Sequence, residues 1–413
     1  MLFVSHQTGN RNVRGILEAA IEADWLGQYF VTLDLSGLAG ISDRLPSSLA
    51  EELRRRMFAD VPAALISSHG WTEALAIAVE RMPVIRRLSL THRYRAIGFL
   101  KSHDRWTAAR LGKLPPGSAV YAYPCGALAS FRAAERSGAV KVLEFTQAHW
   151  SFASAIMDEE AEINPAWRFA IPTSALTLER SGREDAELEL ADALVCPSRF
   201  VERTLPQRPV NSRIVGYGCP APALLRERPS DARGPLKVLF VGNLMQQKGL
   251  SYLFDAMDKV GSAAELTIVG TLRQAPGREL ADRLEGLRWY PSLPNPAVRA
   301  LMREHDVLVL PSLCDAFGLV VSEALSEGAP VIVSTNVGAA DLVEHGHNGF
   351  VVPIRDSDAI AQALLALRDP DRLAAMSAAA YETARKNPES GMWGETVDWI
   401  RSLVAGQGVP RPV

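Results

Sequence analysis

Short runs of β-branched and aliphatic residues alternate along the chain with longer stretches whose apolar positions recur every three or four residues. That rhythm belongs to parallel strands covered by crossover helices. In the second half the runs LKVLFVG (236–242), ELTIVG (265–270), DVLVLP (306–311), APVIVST (329–335) and GFVVP (349–353) are each apolar and bounded by Gly, Pro or Asp. Strands buried on both faces have this character. The first half repeats the rhythm with LFVS (2–5), QYFVTLDL (28–35), AALIS (63–67), AVYAYP (119–124), KVLEFT (141–146) and ALVCPS (193–198). Leu250, Leu253, Phe254 and Met257 fall at i, i+3, i+4 and i+7, which predicts a helix with one apolar face against a sheet.

The expected class is therefore α/β, with two doubly wound, Rossmann-like domains facing across a cleft. A first domain is expected over 1–219 and a second over 236–388. Between them PAPALLRERPSDARGP (220–235) has no period and reads as a linker. After Asn387-Pro388, the last part (389–413) carries an amphipathic pattern, with Trp393 and Trp399 to anchor a helix docking back on a domain surface. In such an architecture the carboxyl ends of the strands and the helix N-termini open toward the cleft, the default place for a ligand.

Composition narrows the function. With 413 residues, 47% hydrophobic and 22% charged, the chain suits two or three folded domains rather than a disordered one. Lys and Arg total 44 against 47 Asp and Glu, a net charge of −3, so no overall field favours nucleic acid. Cys125, Cys196, Cys219 and Cys314 are widely spaced and form no C-x-x-C pair, which suits a reducing compartment. The opening apolar run is too short for a signal segment, and no stretch of about 18 apolar residues occurs. A cytoplasmic chain without a membrane span is expected. No Cys/His cluster or acidic pair has metal-site spacing, and His345 and His347 read as solvated residues beside Gly346.

Two stretches carry candidate chemistry. In VLFVGNLMQQKGLSYL (238–253) a strand runs into a loop opened by Gly242, then Lys248 and Gly249 precede a helix. Gly permits close backbone approach, and a lysine beside a helix start offers charge and free amides to a phosphate. An ordinary strand-turn-helix with a solvated lysine has the same sequence. In VLVLPSLCDAFGLVVSEALSEGAPVIVST (307–335), Asp315, Phe317, Gly318 and Glu323 lie between two buried strands. A helix starting near Phe317 or Gly318 turns unpaired N–H groups outward, with Glu323 about two turns along. Two carboxylates on one element can grip separate diols of a polar ligand. Taken alone, Asp315 as a helix cap and Glu323 as a solvated residue fit equally.

VGNLMQQKG, followed by DVLVLPSLCDAFGLVVSEALSEGAPVIVSTNVGAADLVEHGHNGFVVP (306–353), resembles the donor-binding half of the retaining GT-B-fold glycosyltransferases known as group 1. ELELADALVCPSRFVERTL (187–205) also resembles the segment before that family's domain crossover. The resemblance implies transfer of a sugar from a nucleoside diphosphate sugar donor to an acceptor hydroxyl of unknown identity, with retention of configuration. It implies that Lys248 neutralises the donor diphosphate, that Glu323 takes the ribose hydroxyls and that Asp315 holds the transferred sugar. The amides of Phe317, Gly318 and Leu319 would complete these contacts, with Gly242 and Asn243 in the phosphate loop. Gly338, in the turn 336–349, would pass beneath the sugar. Two departures stand out. Members commonly carry Glu where this chain has Asp315, and many carry Arg where it has Asn243. No cofactor or metal is expected, because Lys248 and backbone amides fill the charge role of a divalent ion.

On the acceptor side, His149 ends the strand run KVLEFTQAH and is expected at the cleft, contacting the donor sugar. Gly9, Asn10 and Asn12 follow the first strand and are expected to line the acceptor or diphosphate side. Either His6 or His149 is equally readable as a structural histidine. From 83 to 117 the chain carries Arg86, Arg87, Arg93, Arg95, Lys101, Arg105, Arg110 and Lys113 against Asp104 alone, interleaved with Tyr94, Phe99 and Trp106. Peripheral contact with an anionic membrane face and ordinary solvated helix faces both fit this run. A non-catalytic sugar-nucleotide-binding protein and a GT-B-fold sugar-nucleotide epimerase remain the alternatives.

Overall fold

The apolar runs become strands of two separate parallel sheets. The computed structural model describes residues 1–38, 54, 56–70, 91–171, 177–206, 211–222, 234–272, 276–389 and 392–406, excluding the side chains of 91–97 and 177–180. Most of the expected linker, 223–233, lies outside the described residues.

The first sheet contains β1 (Leu2–Ser5), β2 (Leu26–Val31), β3 (Ile66–Ser68), β4 (Ala119–Ala122), β5 (Val140–Glu144), β6 (Ala193–Cys196) and β7 (Ser212–Ile214), in the order β3-β2-β1-β4-β5-β6-β7. The second contains β8 (Leu236–Val241), β9 (Ala264–Val269), β10 (Arg288–Tyr290), β11 (Val307–Leu310), β12 (Val331–Ser334) and β13 (Gly349–Val352), in the order β10-β9-β8-β11-β12-β13. Every strand pairing among the described residues is parallel. The strand order reverses between β1 and β4 in one sheet and between β8 and β11 in the other, so each domain has its own switch-point crevice.

Two segments pack on the domain opposite to the one their place in the chain suggests. Met157, Trp167 and Ala170 are buried in the apolar core of the second sheet. There the Trp167 ring lies 5.9 Å from that of Phe254. Residues 156–171, expected in the first domain, thus help close the second. In return, the C-terminal helix Met392–Ala405 docks on the first domain, where Val397 and Ile400 are buried with Val13, Ile16 and Leu17. Trp393 lies so close to the first helix, Arg11–Glu22, that a Cβ on Gly15 would stand 2.2 Å from its ring.

The two chain crossings lie side by side. Cys219 N donates to Asn387 O at 2.8 Å and Glu389 N to Cys219 O at 3.1 Å. Gly218 has φ +65°, and a Cβ there would meet Pro388 O at 2.6 Å, so glycine is required. All four cysteines are buried thiols. No helix among the described residues is long and apolar enough to cross a membrane.

Because Ile400 is wholly buried in the first domain's core, Ile400→Ala should cost about 2–5 kcal/mol. Equilibrium urea unfolding checks this; a change under about 0.5 kcal/mol, the size of an ordinary surface substitution, would contradict the docking.

Candidate functional site

The crevice between β8 and β11 is built from two loops that bond to each other. After β8, the turn Gln246–Lys248 leads through Gly249 into the helix Leu250–Val260. After β11, the loop 311–318 leads into the helix Leu319–Ser326. Gln247 ties them together: its Nε2 donates to Cys314 O at 2.9 Å, and its carbonyl accepts from Leu313 N at 2.9 Å. Lys248 Nζ then meets Asp315 Oδ2 at 2.5 Å.

Both helices start at a glycine in left-handed conformation, Gly249 at φ 70° and Gly318 at φ 81°, and neither start receives a side-chain cap. Gly249 is forced by Pro311, whose carbonyl oxygen would lie 2.1 Å from a Cβ. At Gly318 a Cβ would stand 2.9 Å from Leu310 and 3.5 Å from Asp315 Oδ2. In the first of these helices Ser251 N donates to Gln246 Oε1 at 3.3 Å; the start at Gly318, with no side-chain cap, keeps a positive end suited to an anion.

The first domain treats its corresponding helix start differently. Glu187 accepts from the amides of Cys125, Ala127 and Leu128 at 2.6, 2.9 and 3.0 Å. Asp104 accepts from those of Ala129 and Ser130 at 2.7 and 2.9 Å. Arg183 pairs with both carboxylates. The amides at the start of helix Leu128–Glu135 are therefore already committed to internal anions. The helix start at Gly318 in the second domain carries no such side-chain cap among the described residues.

The structure brings Gly242, Lys248, Asp315, Phe317, Gly318 and Gly338 together. A Cβ on Gly242 would lie 3.9 Å from Lys248 Cε. Gly338 N donates to Asp315 O at 2.9 Å, and a Cβ on Gly338 would sit 2.0 Å from Ala316 O. Glycine is thus required for the 336–339 loop to lie against the 315–317 loop. Phe317 is buried, with its ring 4.9 Å from that of Tyr217 in the crossing segment. Leu319 is exposed at the helix start. Asn243 accepts from Thr271 Oγ1 at 3.0 Å.

Glu323, one turn into the helix, accepts from Asn295 Nδ2 at 2.9 Å. Burial pushes its carboxyl above the usual range, opposed by Asn295 and by the charges of Arg11 and Arg299. Arg11, the first residue of its helix, is paired with Glu389 and acts on Glu323 from the opposite domain.

His149 differs from expectation. It is 2% exposed and caps the helix Trp150–Ile163, with Nδ1 2.7 Å from Ser151 Oγ and Nε2 3.0 Å from Asp185 Oδ1. Both ring nitrogens are engaged, so its geometry is that of an anchoring group rather than of one open to the cleft. On the acceptor side, Gly9 is buried, Asn10 caps the first helix by accepting from Val13 N at 2.9 Å, and Asn12 donates to Glu144 Oε1 at 3.2 Å. His6 is turned inward, its ring 4.4 Å from Tyr123, and burial lowers its pKa to about 4. In the basic run, 83–90 and the side chains of 91–97 lie outside the described residues; Arg110 lies 4.0 Å over the ring of Trp106.

Glu144 was not singled out from the sequence. It sits at the carboxyl end of β5, wholly buried, and accepts from Tyr121 OH at 2.8 Å. Burial pushes its pKa up to about 7, against the hydrogen bonds and nearby phenols of Tyr123 and Tyr217. Those two hydroxyls are themselves buried without a partner of full hydrogen-bond geometry among the described residues. A lone carboxylate within the apolar run KVLEF was the available signal.

Fold and site together define a two-domain protein of GT-B architecture whose second domain holds an anion-ready crevice. Residues 235–369 match the family model described as Glycosyl transferases group 1. An uncharacterized glycosyltransferase of Methanocaldococcus jannaschii is 34% identical over 136 residues, 30% of this chain and 33% of the relative. The phosphatidyl-myo-inositol mannosyltransferase of Mycobacterium leprae is 34% identical over 177 residues, 41% of this chain and 47% of the relative. The chain thus spans between a third and a half of the length of these relatives. Sucrose-phosphate synthase from Thermosynechococcus elongatus shares the fold over 98% of this chain and 99% of its own, with TM-score 0.63 and 17% identity. Anabaena HepE, solved in complex with UDP, does so over 97% and 99%, with TM-score 0.61 and 16% identity. These likenesses establish the GT-B fold for nearly the whole chain and a group 1 glycosyl transferase match for its second domain.

Glu144 binds a proton more tightly folded than unfolded, so its contribution to stability is full below pH 4.5 and is lost as pH rises through about 7. The wild type should therefore lose stability relative to Glu144→Gln over that window. Urea midpoints measured from pH 4.5 to 8 check this; a pH-independent difference would contradict the buried carboxyl.

Proposed function

We propose that this chain is a retaining glycosyltransferase that moves a sugar from a nucleoside diphosphate sugar to an acceptor hydroxyl, in glycoconjugate or polysaccharide synthesis. The observation that carries this reading is the pairing of Lys248 with Asp315 beside a helix start whose amides have no side-chain cap. A departing diphosphate needs fixed cations and amides, while the transferred sugar needs acceptors for its hydroxyls. The two requirements meet within one crevice. The UDP bound by the HepE neighbour supports the choice of ligand class.

In this reading the bond between the anomeric carbon and the diphosphate oxygen breaks as the acceptor oxygen approaches the same face. The acceptor proton passes to the departing phosphate, so configuration is retained without a protein nucleophile. Lys248 and the amides of Phe317, Gly318 and Leu319 take up the charge growing on the leaving group. Asp315 accepts sugar hydroxyls and, when the donor is absent, holds Lys248 in place. Glu323 accepts the ribose hydroxyls. Gly9, Asn10 and Asn12, on the facing domain, border the acceptor.

Incubation with UDP-, GDP- and ADP-sugars, following nucleotide release with and without an acceptor panel, tests the activity. Lys248→Ala should lower kcat/KM about a hundredfold, the scale of one lost leaving-group donor. Glu323→Gln should raise the donor KM roughly tenfold with a smaller effect on kcat. Chelation with EDTA should leave turnover unchanged. Sugar-nucleotide binding without release in any acceptor panel would favour a non-catalytic binding protein, and interconversion of donor sugars without transfer would favour an epimerase.

A further inference from the structure

Glu160 is a wholly buried carboxylate with no part in the chemistry described above. It lies near the end of the helix Trp150–Ile163, which starts against the first domain. There His149 N donates to Thr204 Oγ1 at 2.9 Å, and its ring is held by Asp185. Eleven residues after His149, Glu160 reaches the second domain and accepts from four groups. These are Gln246 Nε2 at 2.7 Å, Asn164 Nδ2 at 2.7 Å, Tyr252 OH at 3.0 Å and Arg355 Nε at 2.8 Å. Arg355 is also paired with Glu159 at 2.7 Å and takes a left-handed φ of 63°, unusual for a residue with a side chain.

Gln246 is the partner that matters for the site. It is wholly buried at the start of the turn Gln246–Lys248, with its amide nitrogen shared between Glu160 and Ser251 Oγ at 2.6 Å. The turn is therefore held through the side chains of its first two residues. Gln247 bonds to the Cys314 carbonyl in the loop that leads to Asp315, and Gln246 bonds to a carboxylate supplied by the helix from the first domain.

We propose that Glu160 is a positioning residue for Lys248, setting the place of the diphosphate cation from the helix that spans both domains. This rests on the reading that Lys248 faces the donor diphosphate. The bond from Gln246 to Glu160 fixes the turn, and the turn fixes the lysine stem, so the cation is registered to the helix rooted beside His149. Glu160 touches neither donor nor acceptor and acts through Gln246.

The test compares binding of a nucleoside diphosphate with its bare nucleoside, using whichever of uridine, guanosine or adenosine the protein binds, by calorimetry on the full chain. Lys248→Ala should abolish the advantage of the diphosphate. Glu160→Gln should lower that advantage roughly tenfold while leaving nucleoside affinity unchanged, the scale of a misplaced contact group. Gln246→Met cuts the same link while sparing the pairing of Glu160 with Arg355, and should behave alike even if Glu160→Gln fails to fold. Neither change should add to Lys248→Ala in the double variants, whereas Glu159→Gln should change nothing. A full diphosphate advantage in Gln246→Met, or losses that add to that of Lys248→Ala, would overturn the positioning role and leave the reading of Lys248 intact. A full advantage in Lys248→Ala, or no binding of any of the three diphosphates, would overturn that reading and the positioning role with it.

Discussion

The ion pair between Lys248 and Asp315 is the point on which the second domain's crevice turns. Each residue follows a central strand at the place where the order of the sheet reverses, and each lies beside a glycine that begins a helix without a side-chain cap. A lysine held, among the described residues, by one carboxylate at a partly exposed position keeps its charge available to a stronger anion. The first domain supplies a contrast within the same molecule. There Glu187 and Asp104 already fill the helix start, so its amides serve the fold rather than a ligand.

The domains are not independent bodies joined by one strap. Residues 156–171 lend Trp167 to the second core, the C-terminal helix lends Ile400 to the first, and the two crossings bond to each other through Cys219 and Asn387. Direct bonds add to this, from Ser198 Oγ to Ala316 O at 2.8 Å and from Arg199 N to Asp341 Oδ2 at 2.7 Å. Both of these reach the loops that form the crevice or lie beside it. The geometry of the site is therefore a property of the pair of domains, with the helix Trp150–Ile163 as one of its supports.

Much of this was legible in the chain. Long apolar runs bounded by Gly or Pro became buried strands, because burial on both faces leaves little choice of residue. β7 and β10 escaped notice: SRI and RWY are three residues long at the sheet edges and carry polar side chains, so no periodicity marks them. Lys248 stood out because it follows a strand beside Gly249, and Asp315 and Gly318 because they lie in a loop between two buried strands. The carboxylates of Glu144 and Glu160 did not, since a charged residue reads as solvated until the fold reveals what surrounds it. Glu160 lies in a helical stretch of four acids, and its partners come from residues as distant as Arg355. For the same reason, His149 at a strand's end looked like a cleft residue. Only the packing of Asp185 and Ser151 around it gives the ring another role.

The most direct measurement is a crystal structure with a nucleoside diphosphate sugar bound. The account predicts a phosphate oxygen within hydrogen-bond distance of Lys248 Nζ and of an amide among Phe317, Gly318 and Leu319, with the ribose diol on Glu323. A diphosphate lodged instead in the crevice between β1 and β4 would contradict it.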